Sequence, residues 1–174
     1  YEKCYQEHQK YPDYLGRPVH PSAYSVTSHF ALGLYTGALP TGRKAKVALT
    51  DATVSAQPGT DRNGPTALVR SAARVLDTVK YGHNHLNMKF HPSSLATPEG
   101  ARNLLSMIKT YFDLGGYHVQ FNFVAAETLK DAQLHPENHR DLIVRVAGFS
   151  AYFATLDKGV QDEIVARTEL SFRT

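Results

Sequence analysis

The chain has 174 residues, a net charge of +3, and 19 basic side chains dispersed among 16 acids, a pattern that argues against a nucleic-acid surface. One cysteine, Cys4, permits no internal disulfide and has no neighbours spaced for zinc, which assigns a reducing compartment, the cytoplasm. No stretch approaches the ~20 apolar residues of a membrane span, and no charged-then-apolar leader opens the chain.

Tyr1 stands where an initiator methionine would, so the beginning reads as a cut. Residues 1–23 read as a helix end running into a proline-rich loop, followed by an apolar stretch from Tyr24 to Leu34. From Gly37 to Gly64 the text is turn chemistry, and a connection that long in a compact domain usually covers something. Pro65 is placed for a first helical turn, with Leu68, Val69, Ala72, Val75 and Leu76 at helical spacing behind it. His83 to Phe90 predicts a strand. Thr97-Pro98-Glu99 predicts a helix start, with Leu104, Leu105, Ile108 and Phe112 as its apolar face and Gly115-Gly116 as its end.

Tyr117, Val119, Phe121 and Phe123 alternate with His118, Gln120 and Asn122, which predicts a strand whose polar face hydrogen-bonds in the interior. A short helix spans Glu127 to Leu134, Leu142 to Val146 is a strand, and Asp157 caps a last helix that buries Val160, Ile164 and Val165. Strands alternating with helices argue an α/β fold.

Gly148 sits between that last strand and an aromatic run of Phe149, Tyr152 and Phe153. On spacing alone such a glycine is a bulge, a tight turn or a close backbone approach. A second reason for glycine is chemical. Losing one Cα hydrogen leaves a radical that the flanking amide nitrogen and carbonyl delocalise if the centre turns planar, a geometry that any Cβ would crowd.

The segment Arg145-Val146-Ala147-Gly148-Phe149-Ser150-Ala151-Tyr152-Phe153 closely resembles the radical loop of glycyl radical enzymes, the pyruvate formate-lyase-like superfamily. Gln161-Asp162-Glu163-Ile164 with Arg167-Thr168 is similar to the end of that family's chains. Upstream, the likeness continues through residues 37–45, Gly64-Pro65-Thr66-Ala67 and Leu86-Asn87-Met88-Lys89-Phe90, and so covers residues 24–169. Thr41 departs from the aspartate that many members carry in the Pro-Asp-Gly-Arg turn, a change expected to matter little.

The resemblance implies the C-terminal portion of a ten-stranded α/β barrel, with residues 1–125 as barrel and 126–174 as glycine radical domain. It implies that Gly148 stores the radical and that alanine there abolishes storage while leaving the fold largely intact. Family members pass the radical to a loop-tip cysteine commonly followed two residues later by glutamate. Cys4 is followed by Tyr5 and Gln6, so that cysteine is expected outside this chain. No bound cofactor is implied; the radical is installed by an iron–sulfur, S-adenosylmethionine-dependent activating enzyme. The other implied partners are the remainder of the enzyme, further copies of it, and in some members a small subunit, with neither nucleic acid nor membrane.

The texture of residues 24–29 and 49–61 looks most like the arylacetate decarboxylase branch, which implies decarboxylation of 4-hydroxyphenylacetate or a relative. In that branch a tyrosine and a valine near this point line the substrate pocket, which maps onto Tyr24 and Val26; ordinary strand packing accounts for them equally. A lyase or dehydratase on a small polar substrate is the alternative within the family, and a non-catalytic replacement subunit that supplies Gly148 is the alternative outside catalysis. His83 and His85 share a strand face but lack a third ligand, so no metal is expected. Ser28, His29 and Asp51 form a triad only on paper.

Overall fold

In the computed structural model the described residues are 2–22, 24–75, 77, 82 and 84–172. In chain order the helices are α1 (Glu2–Gln9), α2 (Ser28–Tyr35), α3 (Pro65–Ala72), α4 (Pro98–Asp113), α5 (Ala126–Leu134) and α6 (Lys158–Ala166). The strands are β1 (Leu86–Phe90), β2 (Val119–Asn122), β3 (Ile143–Arg145), β4 (Ser150–Tyr152) and β5 (Glu169–Leu170). β1 lies between β2 and β5 in a parallel sheet, while β3 and β4 form a separate antiparallel hairpin.

The sheet is two-faced because strand side chains alternate. Leu86, Met88 and Phe90 pack on one side with Val119, Phe121, Leu170 and the inner faces of α3 and α4. Each such side chain removed from water contributes roughly 1.5–3 kcal/mol. The opposite side carries Asn87 and Lys89 on β1, in register with Gln120 and Asn122 on β2, and all four are buried. The polar face expected for residues 118–122 is thus interior, and it grips what lies above it. A second apolar core, built from Leu129, Ala132, Val144, Val146, Phe153, Val160 and Ile164, joins α5, the hairpin and α6.

Local signals worked where chain chemistry forces the geometry. Pro65 and Pro98 both stand in first turns, and the Thr97 hydroxyl accepts the Gly100 amide at 3.1 Å. Gly115 ends α4 at φ +93°. Other expectations are corrected. The buried stripe of α4 is Met107 and Tyr111, whereas Leu105 and Phe112 are exposed, because the helix is rotated toward the sheet by where its neighbours sit. Asp157 occupies the N-cap position of α6 without a side-chain cap bond. Glu163 is buried on α6, while Val165 is only half-buried. Tyr24 and Val26 lie in no strand; the apolar stretch becomes α2, and Val26 has φ 48°. Of the strand expected from His83, the described part begins at Leu86; His83 and Leu76 lie outside the described residues. β4 and β5 had no sequence counterpart.

No helix among the described residues is long and apolar enough to cross a membrane.

Candidate functional site

Gly148 lies in the four-residue connection of the β3–β4 hairpin. Arg145 pairs with Ser150, and the Val146 amide donates to the Phe149 carbonyl at 2.9 Å, leaving Ala147 and Gly148 as the two central residues. Gly148 has φ +84°, the value of the third residue of a type II turn, which glycine alone takes without strain. The tight-turn reading and the radical-storage reading therefore demand the same residue here. A Cβ built on Gly148 would meet three atoms of one side chain first: Tyr24 Oη at 2.4 Å, then Cζ at 3.3 Å and Cε2 at 3.5 Å.

The turn is held by its backbone carbonyls. Asn122 Nδ2 donates to the Arg145 carbonyl at 2.7 Å, and the Arg145 amide returns a bond to Asn122 Oδ1 at 2.7 Å. Arg167 Nη1 donates to the same Arg145 carbonyl at 3.2 Å, and Asn87 Nδ2 to the Val146 carbonyl at 2.9 Å. Arg145 reaches back over the turn, donating through Nη2 to the Gly148 carbonyl at 3.3 Å and through Nη1 to Ser150 Oγ at 3.2 Å. Its Nε donates to Gln120 Oε1, Gln120 Nε2 donates to Asn87 Oδ1, and Asn87 Nδ2 donates to Asp51. One continuous hydrogen-bonded chain thus runs from Asp51 to the carbonyl of Gly148. In a water-poor interior, such chains are stiff when every member is satisfied.

Behind it lies a buried charge cluster. Arg167 makes a forked pair with Glu163, Nε to Oε1 at 3.0 Å and Nη2 to Oε2 at 2.8 Å, and its Nη1 is 3.5 Å from Asp51. His29 Nε2 lies 3.4 Å from Glu163 Oε2. The two carboxylates share one guanidinium and diverge in consequence. Burial pushes Asp51 up, with Arg167 opposing. Burial would also raise Glu163, but the His29 contact and the forked Arg167 overcome it and bring it down to about 2. Burial and the Arg145 charge lower His118.

The loop from Gly37 to Gly64 does cover something. Arg43, itself buried, donates to the carbonyls of Gly37 at 2.8 Å and Gly33 at 3.0 Å and to that of Val47, stapling the loop to α2. Thr168 accepts the Gly59 amide at 3.1 Å and donates to Asp61. Thr41, the departure noted above, is exposed. A groove of about 1220 Å³ runs between this loop and α3, and Tyr24 lines it, whereas Val26 is not among its lining residues.

Of the sequence candidates, the structure brings Tyr24 onto Gly148. It breaks the paper triad: His29 and Asp51 share the buried charge cluster around Glu163 and Arg167, whereas Ser28 is exposed. His85 stacks between Tyr24, at 4.8 Å between ring centroids, and His118, at 4.6 Å. Gln120 was expected only on an interior polar face and Asp51 only in that triad, while Asn87, Glu163 and Arg167 had no role assigned from sequence. A signal was present, since an asparagine and a lysine inside the apolar strand Leu86–Phe90 require buried partners. His91, Glu127 and Glu169 also converge from three elements, with ligand atoms within 4.8 Å of one another, and Glu169 Oε2 already accepts the Ala126 amide at 2.8 Å.

Residues 50–154 match the family described as Glycine radical. An indoleacetate decarboxylase of Tractidigestivibacter scatoligenes is 53% identical over 148 residues, covering 85% of this chain and 17% of that protein. The 4-hydroxyphenylacetate decarboxylase glycyl radical subunit of Clostridium scatologenes is 42% identical over 165 residues, 95% of this chain and 18% of that one. Among solved structures, the glycerol-bound form of the B12-independent glycerol dehydratase from Clostridium butyricum superposes with a TM-score of 0.90 at 42% identity, over 96% of this chain and 21% of that one. The fold and the hairpin are those of a glycine radical protein, and the chain belongs to that family. It spans about a fifth of the length of the relatives it matches.

Proposed function

We propose that Gly148 is the radical store of a glycyl radical enzyme whose other parts lie outside these 174 residues, and that the whole protein is an arylacetate decarboxylase. The observation that carries the first half is the turn itself. Gly148 has no Cβ to obstruct planarity, and its carbonyl, one of the two groups that delocalise the spin, accepts from the Arg145 guanidinium at 3.3 Å. The carbonyls of Arg145 and Val146, in the two peptides that precede those flanking the Cα, are held by Asn122, Arg167 and Asn87, which anchors the strand that leads into the turn. In activation one hydrogen atom leaves the Gly148 Cα for an acceptor on an S-adenosylmethionine-dependent activating enzyme, and one unpaired electron stays behind. During turnover a cysteine thiol on the remainder of the enzyme returns a hydrogen atom to Gly148, becoming the thiyl that attacks substrate.

Substrate assignment rests on the 53% identity to the indoleacetate enzyme, with the 4-hydroxyphenylacetate enzyme at 42%. The second reading, a dehydratase, draws on the 42% identity to the glycerol enzyme. Tyr24, on the groove edge, would serve an aromatic acid by ring contact. Val26, which does not line this groove, would serve as a wall only of a pocket completed by the rest of the protein; its φ of 48° is costly for a β-branched residue and is the sort of strain found at working sites. Residues 1–125 would form barrel and 126–174 the radical domain, although β5, at the end of the latter, pairs with β1 of the former. Half-exposed Ile143 and Tyr117, together with Leu32 and Tyr35 on α2, would be covered by the rest of the protein. Further copies, and for the decarboxylases a small subunit, would complete the assembly.

The test is anaerobic activation of the full-length protein followed by electron paramagnetic resonance. A carbon-centred doublet, split by the one remaining Cα hydrogen, should appear and collapse to a singlet when glycine is labelled with deuterium at Cα. Air should then cut the chain at Gly148, releasing a C-terminal piece that begins at Phe149, and unactivated protein should survive air. Cleavage at another glycine, such as Gly115 or Gly159, would remove Gly148 from the role. Turnover of indoleacetate and 4-hydroxyphenylacetate against glycerol decides between decarboxylase and dehydratase.

A further inference from the structure

The Cβ direction on Gly148 is also the direction of one of its two Cα hydrogens, and the Tyr24 hydroxyl lies across it, with the two next-nearest atoms on the same ring. We propose that Tyr24 is the cover of the radical carbon: its phenol closes one face of the Gly148 Cα, and that face opens only when the ring swings away. The inference rests on Gly148 being the radical store and assigns Tyr24 a task distinct from lining a substrate pocket.

Three features make Tyr24 a cover that moves. Its ring is braced on one side by His85, tilted at 57°, and His85 is itself set edge-on against His118, so the closed position is held by a short stack. Its hydroxyl makes no hydrogen bond to a described residue, so among the described residues leaving the closed position breaks ring contacts and no hydrogen bond. The backbone beneath is fixed by comparison: Ser25 Oγ donates to the Ala52 carbonyl at 2.7 Å, with Val26 at φ 48° and Ala52 at φ 54°. A pinned backbone carrying a weakly held ring turns at the side-chain torsions and leaves the radical loop in place.

The chemistry follows from position. While the ring is closed, a group that would take the hydrogen on that face meets the phenol oxygen first. After the hydrogen has gone, the phenol faces one lobe of the half-filled orbital, and dioxygen cannot form its bond to Cα from that side. The cover therefore slows both formation of the radical by that face and its loss to air.

The experiment compares the wild type, Tyr24→Ala and Tyr24→Phe in the full-length protein, each activated anaerobically and then mixed with a fixed substoichiometric amount of dissolved oxygen. The readouts are the doublet lifetime and the yield of the cut at Gly148. Losing an aromatic contact of ordinary size changes an opening equilibrium by up to about tenfold, so Tyr24→Ala should shorten the lifetime by about that factor. Tyr24→Phe, which keeps the ring and loses the atom nearest the Cα, should fall between it and the wild type. Equal lifetimes in all three overturn the cover. If Tyr24→Ala fails to fold, a wild-type lifetime in Tyr24→Phe overturns it alone. A wild type that develops no doublet refutes the storage reading instead, so the two failures are distinct.

Discussion

Gly148→Ala should silence the radical signal, but the structure predicts that it also loosens the loop, contrary to a fold left largely intact. The turn holds residue 148 at φ +84°, where an L-side chain costs roughly 1–2 kcal/mol. The new Cβ would stand 2.4 Å from the Tyr24 hydroxyl, well inside contact distance, so the ring must leave His85 and forfeit about 0.5–1.5 kcal/mol of ring contact. The sum, about 1.5–3.5 kcal/mol, corresponds to a roughly 10- to 400-fold rise in local opening. Hydrogen–deuterium exchange of unactivated full-length protein reads this directly in peptides spanning residues 142–153. In a double-mutant cycle, Tyr24→Ala with Gly148→Ala should be less damaged than the sum of the single variants, because the contact between them is counted twice. Unchanged exchange in Gly148→Ala, or strict additivity in the cycle, would refute the close approach.

Arg167→Ala should destabilise the protein by about 3–5 kcal/mol, since it strands two buried carboxylates, Asp51 and Glu163, and leaves the Arg145 carbonyl with Asn122 as its donor; thermal unfolding should show partial rescue by Asp51→Asn. Stability in acid should carry the mark of Glu163, whose folded value of about 2 lies below its ordinary 4.5. A lowered carboxylate stabilises the fold above its unfolded value, and that contribution, at most about 3 kcal/mol, is lost as pH falls from about 4.5 toward 2. Asp51 acts oppositely, because its raised value makes the ionised form a burden that grows with pH. Glu163→Gln should therefore flatten the acid limb of an unfolding curve; an unchanged limb would show that Glu163 does not set it.

The sequence by itself determined the features whose cause is local. Pro65, Pro98 and Thr97 start helices through backbone chemistry that needs no tertiary partner, and Gly115 ends one for the same reason. The alternation through residues 117–123 settled that one strand face would be polar, and the run from Arg145 to Phe153 was specific enough to point to the glycine radical family before any fold was known. What the polar face holds was not legible, because hydrogen bonds from Asn87, Asn122 and Arg167 to the loop carbonyls span 59, 23 and 22 residues, and no periodicity encodes such pairings. Nor was the rotation of α4, since Leu105 and Met107 are equally apolar and only the position of the sheet decides which is covered. β4 and β5 are two or three residues long, too short to show a period, and exist because β3 and β1 offer free edges. The contact between Tyr24 and Gly148 closes 124 residues of chain, and it exists because the pinned backbone at Ser25 and Ala52 aims one ring at the one residue with no side chain to refuse it.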